Sequence, residues 1–204
     1  ASGLVDKFVS FTFKAESRGL LDDGKLKPEI YNFYYEIKNK NKSREASIKY
    51  DDGIPISLKA NPPYRGSDIL SKDDLFKYGS NSSDPNSAFV VSGIYKNPCL
   101  ESSRSFDGVR SYEIKMSERT KKGKLIINEN KYEIILCKGS FNPIVGYEES
   151  DFLETASEKN SIAYWYKYFD KEKMWVPLKF TIDTPIGALV VKANKITNNN
   201  KNKE

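Results

Sequence analysis

The feature that most restricts the fold of this chain is a period-two alternation of large apolar and polar side chains. Between residues 31 and 37, three aromatic side chains and Ile37 alternate with positions that include Asn32 and Glu36. A β-strand directs successive side chains to opposite faces, so this pattern is typical of strands with one buried face. Similar runs recur, and a last strand is predicted in 187–196; the runs are 9–14, 46–50, 54–60, 132–136, 162–168 and 176–182.

Turn-forming sequences lie between these runs and predict that consecutive strands are antiparallel. Examples are DDG near residues 22 and 51, NEN at 128, FDKEK at 169 and DTPIG at 183, which contain the residues that tight turns favour. Aromatic residues make up 13% of the chain and pack well on the pleated surface of a sheet. We therefore expect a mainly β protein of about eight to ten strands, with a curved antiparallel sheet or an open β-barrel-like form.

Residues 67–96 break the alternation and predict two short helices. Asp84 followed by Pro85 has the form of an N-cap and a first helical residue, and the apolar residues after them recur at helical spacing. We expect helices at about 68–77 and 84–95, packed on the concave side of the curved sheet. Since no other segment has the composition of a linker, the sequence predicts a single β-rich domain over 1–196 and a disordered polar tail over 197–204.

The charge distribution argues against a nucleic-acid partner. The 33 basic and 28 acidic residues give a net charge of +5, and the basic residues are mostly scattered lysines rather than an arginine-rich face. No run approaches the roughly 18 apolar residues of a transmembrane helix, so a soluble chain without a transmembrane segment is predicted. The first residue is Ala1 rather than methionine, which is compatible with a removed signal peptide and with a trimmed chain.

The absence of histidine from the sequence removes the commonest general base and metal ligand. Nucleophile elbows, P-loops, dinucleotide-binding glycine motifs and EF-hand loops are absent from the sequence as well. We therefore predict a non-catalytic protein with no catalytic residue, no metal site and no cofactor.

Two cysteines, Cys99 and Cys137, are too few for a four-thiolate zinc site. One interpretation is a disulfide, which would close a long loop, contribute about 4 kcal/mol to stability and imply an oxidising compartment. The other is a pair of separately buried thiols. The cysteines by themselves leave both open.

The segment SIAYWYKYF offers a candidate ligand-lining surface. Alternation places Tyr164 and Tyr166 on one face of a strand and Trp165 on the other. One of these faces could line an apolar or sugar-binding groove, with Arg110 as a further lining candidate; the alternative is that both faces cover core and rim.

The segment SFDGVRSYEI contains a strong hairpin signal, Asp-Gly, which predicts that residues 102–106 pair with 109–116. Counting by twos then places Arg110 on the apolar face of the second strand. A charge in that position requires a partner, and the candidates are the carboxylates of Asp84 and Asp107 or a main-chain carbonyl. We favour a structural clamp over an anion-binding role, since a guanidinium group can serve both purposes.

A set of short motifs follows in a specific order along the chain. These are DPNSA before a helix, a cysteine, SFDGVRSYEI, a second cysteine, NPIVGY, a strand that contains tryptophan, and VPLKFTIDTPIG. Together they resemble the bacterial exported family catalogued as domain of unknown function 3108, over about residues 30–196. The resemblance implies an exported, antiparallel β protein of the Gram-negative envelope, with its signal peptide removed and no established activity. It also favours a disulfide between Cys99 and Cys137, because the periplasm is oxidising.

The positions shared with that pattern are structural candidates without known functional roles: Asp84, Ser87, Phe106, Asp107, Gly108, Arg110, Tyr112, Cys137, Pro143, Gly146, Pro177 and Gly187. The leading hypothesis is a periplasmic, non-catalytic protein that binds an envelope lipid, peptidoglycan or other glycan, or protein, in support of envelope integrity. One alternative is an enzyme acting on cell-wall polymers, with Asp107 or Glu113 near Arg110 as its carboxylate. Another is an adaptor that binds a partner chain by strand addition.

Overall fold

The computed structural model describes residues 11–22, 25–52, 54–64, 71–80 and 82–196. It confirms a mainly β fold with a strongly curled, half-barrel antiparallel sheet and two α-helices. The polar tail predicted at 197–204 lies outside the described residues, as does the beginning of the first predicted strand.

A four-stranded antiparallel sheet occupies the first third of the chain. Its strands follow one another in sequence order and are β1 (Phe11–Asp22), β2 (Lys25–Ile37), β3 (Lys42–Asp51) and β4 (Ile54–Asn61). The predicted alternation is visible in this sheet: Tyr31, Ile48 and Tyr50 form a buried cluster against which Phe33 and Leu58 pack. One face of the sheet is therefore apolar, as the period-two pattern predicted.

A second, seven-stranded sheet contains the remaining strands. These are β5 (Val91–Ser92), β6 (Ser103–Phe106), β7 (Ser111–Ile127), β8 (Asn130–Val145), β9 (Ile162–Phe169), β10 (Met174–Thr184) and β11 (Gly187–Lys192). Their order is β11-β10-β9-β8-β7-β6, with β5 paired to β10. The turns at 128–129, 170–173 and 185–186 lie where the turn motifs predicted them.

The two α-helices are α1 (Lys72–Gly79) and α2 (Asp151–Ser157). The Ser71 hydroxyl caps α1 by accepting a hydrogen bond from the Asp74 amide at 3.1 Å, so α1 overlaps the helix predicted at 68–77. It contacts β4 and β6. Sequence reasoning missed α2, whose Ser150 cap accepts from the Leu153 amide at 3.3 Å.

The helix predicted over 84–95 is wrong. Asp84 does cap a turn, but the helical segment is a single 3₁₀ turn over Ser87–Phe89. The chain becomes extended at Val90 and continues into β5. Val90, Val91 and Gly93 lower the helix propensity of this segment. The cap at Asp84 is therefore followed by a single turn and not by a longer helix.

The described residues group into two compact units, each assembled from separate stretches of chain. Unit 1 takes its residues from 11–91, 102–114 and 142–148; unit 2 takes its residues from 92–101, 115–141 and 149–196. The strands β7 and β8 contribute residues to both units. A single domain over 1–196 stays a prediction.

Unit 2 contains the disulfide between Cys99 and Cys137, whose Cα atoms are 5.2 Å apart. Both cysteines are almost fully buried, with 1% and 0% exposure. The bond joins the 3₁₀ turn Pro98–Leu100 to β8. The pairing that the resemblance favoured is therefore present, and the interpretation as two separate buried thiols is wrong.

Candidate functional site

An open cleft of about 400 Å³ lies in unit 1, and aromatic rings form most of its surface. The lining residues come from β1, β2, β3 and β7, from the segments around Tyr64 and Pro85, and from the turn before β7: Phe11, Phe13, Tyr31, Phe33, Tyr35, Ile37, Lys42, Arg44, Tyr64, Pro85, Asp107, Arg110 and Tyr112. Small-molecule sites occupy about 300–1,000 Å³. This aromatic cleft is the candidate functional site.

The floor of the aromatic cleft is a row of rings on the apolar face of β1 and β2. Phe13 stacks on Phe11 and on Phe33, with ring centroids 6.3 and 6.4 Å apart, and Phe33 lies 5.8 Å from Tyr31. The row runs from a buried end to an open one: Tyr31 is 2% exposed, whereas Phe11 and Phe13 are 48% and 53% exposed. Large aromatic side chains left open in a row are typical of a binding surface.

Arg44, on β3, supplies a positive charge to the cleft. Its Nε donates a hydrogen bond to the main-chain carbonyl of Pro62 at 3.1 Å, and its guanidinium group lies 4.1 Å from the centroid of the Tyr64 ring. A guanidinium held over an aromatic face is stabilised by the ring quadrupole. Burial raises the pKa of the Tyr64 hydroxyl, and the charges of Arg44 and Arg110 oppose that shift, so both arginines act on the same tyrosine.

The turn between β6 and β7 positions Arg110. Because Phe106 pairs with Ser111, the turn spans four residues, closed by a hydrogen bond of 3.0 Å from the Asp107 amide to the Arg110 carbonyl. Asp107 Oδ1 also accepts from the amides of Val109 and Arg110, at 3.0 and 2.6 Å. Arg110 therefore precedes the strand and is exposed, so its predicted place on an apolar strand face is wrong.

Arg110 binds a main-chain carbonyl, which was one of its predicted partners. Its Nε donates to the Gly146 carbonyl at 3.3 Å, and its guanidinium carbon lies 5.9 Å from the centroid of the Tyr147 ring. Gly146 has a φ of +82°, and a Cβ atom there would lie 2.5 Å from the Val109 carbonyl oxygen. Glycine is thus required at this position for the turn to approach so closely.

Asp107 is a partly desolvated acid at the edge of the cleft. Burial raises the pKa of its carboxyl group from the ordinary value of 3.8, while the amides of Arg110 and Val109 and the Arg110 charge act in the opposite direction. Among the described residues, no ion pair joins Asp107 to Arg110. Its carboxylate holds the turn through main-chain amides instead.

The tyrosines around the cleft are neutral at physiological pH. Burial is the largest cause in each case: it raises the pKa of Tyr112 to about 12 and moves the pKa values of Tyr31 and Tyr147 upward as well. The nearby Asp107 adds to the upward shift in all three. Their hydroxyl groups therefore offer hydrogen bonds rather than negative charge to a ligand.

Asp84 is fully buried, with 0% exposure, and has a structural role. Its Oδ1 accepts hydrogen bonds from the Ser17 hydroxyl and from the amides of Asn86 and Ser87, the last two at 2.9 and 3.2 Å. It fastens the segment after α1 to β1. Asp84 forms no ion pair with Arg110 in the described part of the chain.

The aromatic strand predicted to line a ligand surface divides into two faces. Tyr164 and Tyr166 are each 1% exposed and belong to the core of unit 2, where Tyr164 packs 5.9 Å from the ring of Phe180. On the other face, Trp165 is half-buried beneath the ammonium of Lys179 at 4.3 Å. Two of the three predicted lining residues are therefore core, as the alternative interpretation of this segment held.

Of the remaining pattern positions, only Tyr112 lines the cleft. Phe106 is buried, and Ser87 begins the 3₁₀ turn. Pro177 lies beside a bulge of β10, a position at which strands tolerate proline. Gly108 has a φ of +89° in the turn before β7, whereas Pro143 and Gly187 lie in β8 and β11.

The carboxylates proposed for an enzyme do not converge in the cleft. Asp107 lines it, whereas Glu113 lies on β7 and accepts a hydrogen bond from the Asn142 amide nitrogen at 3.4 Å. Within the described ranges, no cluster of three metal-binding side chains occurs. The two carboxylates named for acid–base chemistry, which uses two positioned groups, therefore do not line the cleft together.

A larger depression of about 560 Å³ lies elsewhere on the four-stranded sheet. Its charged lining residues have both signs, Lys14 and Lys59 against Glu16 and Glu45, and their charges cancel. It lacks the row of stacked rings and the pair of arginines, so we consider it the weaker candidate.

Sequence reasoning missed most of the cleft. Arg44 and Tyr64 carry no motif, and their partnership depends on the chain bringing the residues after β4 back beside β3. The alternation at 31–37 identified the floor residues as an apolar face, but it could not show that Phe13 stays exposed. The sequence indicated Arg110 as a lining residue but carried no signal for Arg44.

None of the protein-family models, curated proteins or solved structures compared with this chain matches it. The resemblance to the exported family therefore stays a prediction. Within the described residues, no helix combines the length and the hydrophobicity that crossing a bilayer requires.

Proposed function

We propose that this protein is a non-catalytic binding protein of the bacterial cell envelope, and that the aromatic cleft holds its ligand. One observation carries the proposal: a cleft of about 400 Å³ whose floor is a row of stacked rings, with two exposed phenylalanines at its open end and cationic side chains on its rim. An apolar surface with a few placed polar groups is typical of ligand sites.

A lipid or an amphiphile is the envelope component that this lining favours. Burying apolar ligand surface contributes about 25 cal/mol per Å², and the half-exposed rings of Phe11 and Phe13 lose their contact with water when an acyl chain covers them. A glycan would instead require several hydrogen-bonding side chains along the floor. In the row of rings that forms the floor, Phe11, Phe13 and Phe33 offer none, and the one hydroxyl belongs to Tyr31, which is 2% exposed.

The disulfide supports export to the periplasm. Disulfides persist in oxidising compartments and are rare in the bacterial cytoplasm. The bond between Cys99 and Cys137 and the resemblance to an exported family agree on that location. A role in envelope integrity follows if the bound component belongs to the envelope.

Native mass spectrometry of the chain exported to, and purified from, a bacterial periplasm tests this proposal. We expect adducts with the masses of lipids, and we expect Phe13→Ala to lose them. Phe152→Ala is the matched control, because Phe152 is exposed to a similar degree, 47% against 53% for Phe13, but lies on α2. Adducts retained by Phe13→Ala and lost by Phe152→Ala would contradict the assignment of the cleft.

A second candidate function, strand addition to a partner protein, draws support from β11. This strand ends the seven-stranded sheet, and all six of its residues are exposed, including Leu189, Val190 and Val191. Exposed edge strands pair readily with other chains. A photocrosslinking residue at position 190 should give one discrete protein adduct in the envelope, and the same residue at the exposed Ile126 on β7 should give none. Equal labelling at both positions would oppose an adaptor role.

A further inference from the structure

We infer that the ligand of the aromatic cleft is a single-chain amphiphile with a phosphate head group, and that Arg44 and Arg110 together bind the phosphate. This inference rests on the proposed function, because it concerns the same cleft. It adds the chemical class of the ligand and assigns an anion-binding role to two arginines.

The two arginines are held in the same way. In each, Nε donates to a main-chain carbonyl, of Pro62 for Arg44 and of Gly146 for Arg110, at 3.1 and 3.3 Å. In each, the guanidinium group also lies over a tyrosine ring that follows that carbonyl closely in sequence. Since Nε is occupied and the plane is supported by a ring, the terminal nitrogens are oriented before any ligand binds.

No carboxylate pairs with those terminal nitrogens among the residues that the structure describes, although Arg44 also hydrogen-bonds the Tyr64 side chain. Neither Arg44 nor Arg110 forms an ion pair there, although Arg18 and Lys27 do. Asp107, the carboxylate that lines the same cleft, directs its Oδ1 to main-chain amides. Two oriented guanidinium groups without a carboxylate partner are suited to an anion supplied from outside.

The charge of the lining favours a phosphate monoester over a carboxylate. Lys42, Arg44 and Arg110 against Asp107 leave a net charge of +2 on the cleft. A phosphate monoester carries about −1.5 to −2 charges near neutral pH and has three acceptor oxygens, so that two guanidinium groups can each donate two hydrogen bonds to it. A carboxylate has two oxygens and one charge.

The size of the cleft limits the apolar part of the ligand. Its volume of about 400 Å³ lies near the lower end of the range for ligand sites, about 300–1,000 Å³, which suits one acyl chain better than two. Arg44 shares its register with Tyr35 and Phe13 across the sheet, so the rings of Phe11, Phe13 and Phe33 offer an apolar surface beside that arginine for the chain to cover.

Isothermal titration calorimetry of the full chain with four ligands below their micelle concentrations separates the two proposals. The ligands are palmitoyl lysophosphatidic acid, palmitoyl monoacylglycerol, palmitate and inorganic phosphate. We expect lysophosphatidic acid to bind about 10- to 100-fold more tightly than monoacylglycerol, because charged hydrogen bonds are added to the same chain. Palmitate should bind with intermediate affinity, and inorganic phosphate should bind most weakly.

The arginine variants give the second readout. Arg44→Gln/Arg110→Gln should lower the affinity for lysophosphatidic acid to about that for monoacylglycerol, so that the preference for the phosphate head group is lost. Arg18→Gln is the control, because Arg18 lies outside the cleft and pairs with Glu16 at 3.0 Å. Thermal melting of each variant confirms that the protein is folded before it is titrated.

The outcomes distinguish the two proposals. Equal affinity for lysophosphatidic acid and monoacylglycerol, or for lysophosphatidic acid and palmitate, would overturn the phosphate inference and leave the lipid-binding function in place. If inorganic phosphate bound as tightly as lysophosphatidic acid, the acyl chain of the ligand would contribute nothing to the affinity. That result would contradict the proposed function itself. Loss of affinity in Arg18→Gln equal to that of the double variant would also overturn the role of the two cleft arginines.

Discussion

The aromatic cleft of unit 1 and the aromatic core of unit 2 arise from the same sequence pattern and differ in what covers the rings. On β2, the rings of Tyr31, Phe33 and Tyr35 continue across to Phe13 on β1, which is 53% exposed. On β9, Tyr164 and Tyr166 are each 1% exposed. Alternation therefore identifies an apolar face, but it does not reveal whether that face is closed by protein or left open for a ligand.

In unit 2, the disulfide holds the turn Pro98–Leu100 against β8 of the sheet. Cys137 on β8 pairs directly with Tyr164 on β9, and the bond brings the turn Pro98–Leu100 against the same region. Unit 1 has no covalent link among its described residues, and its cleft ends in half-exposed phenylalanines. A closed face contributes to stability, whereas an open one is available for binding.

The largest expected effect is the loss of stability when a buried ring of unit 2 is removed. Tyr164→Ala should lower the free energy of unfolding by about 3–5 kcal/mol, because it leaves a cavity in a packed core. Phe13→Ala should lower it by less than about 1 kcal/mol, since half of that side chain is already in water. Urea denaturation of both variants measures the difference. Equal losses would mean that the cleft is as important for stability as the core.

Removal of the disulfide has the next largest expected effect. Cys99→Ala/Cys137→Ala should lower the free energy of unfolding by about 4 kcal/mol, through the entropy gained by the unfolded chain. Urea denaturation of the oxidised protein, of the reduced protein and of the double variant measures this loss. Because the bond lies within unit 2, the titration of the cleft with monoacylglycerol should be unchanged under conditions in which the variant is folded. A full loss of binding in the folded variant would contradict the separation of roles.

Gly146→Ala should lower the free energy of unfolding by about 1–3 kcal/mol, since φ is +82° there and the new Cβ approaches the Val109 carbonyl. It should also weaken binding of lysophosphatidic acid, because the Gly146 carbonyl anchors Arg110. Gly123→Ala is the control: it lies on β7, has a negative φ, and its nearest new contact is the flexible end of Ile134 at 3.2 Å. Denaturation and calorimetry together measure both effects; a Gly146→Ala protein with wild-type affinity would count against the anchoring of Arg110.

The smallest expected effect is a pH dependence of the folding stability, which arises from Asp107. Because burial raises the pKa of its carboxyl group in the folded protein, the folded state holds the proton more tightly than the unfolded state does. This contribution to stability is fully present below the ordinary pKa of 3.8 and is lost as the pH rises through the raised value. The titratable groups that interact with Asp107 are Arg110, Tyr31, Tyr50, Tyr64, Tyr112 and Tyr147.

The Asp107→Asn variant measures this dependence. Asparagine keeps an oxygen for the amides of Val109 and Arg110 but does not titrate. The stability of the variant relative to the wild type should therefore rise with pH across that window. A pH-independent difference between the two proteins would contradict a raised pKa.

The strands and most of the turns could be predicted from the sequence because alternation and turn chemistry are local. The cysteines by themselves were compatible with a disulfide and with two separate thiols. Only the resemblance to the exported family favoured the disulfide between Cys99 and Cys137. The helix at 84–95 failed because a good cap at Asp84 does not outweigh the low helix propensity of the residues that follow it.

The candidate site was harder to predict, because it depends on contacts between residues far apart in sequence. Arg44 meets Tyr64, and Arg110 meets Gly146, only after the sheets have formed. Counting by twos misplaced Arg110 because the turn is two residues longer than an Asp-Gly hairpin. The interpretation of Arg110 as a clamp on a main-chain carbonyl agrees with its Nε contact, and the anion-binding role remains a proposal for its terminal nitrogens.

The affinity of palmitoyl monoacylglycerol for the wild type, Phe13→Ala and Phe152→Ala tests the central claim most directly. Both phenylalanines are half-exposed, so neither substitution should unfold the protein, and only Phe13 lines the cleft. Fully covering an aromatic side chain contributes about 1.5–3 kcal/mol, so covering the exposed half of Phe13 contributes about 0.8–1.5 kcal/mol. The account therefore predicts that Phe13→Ala binds about four- to tenfold more weakly than the wild type, whereas Phe152→Ala binds equally well. Indistinguishable affinities for all three proteins would contradict the assignment of the aromatic cleft as the binding site.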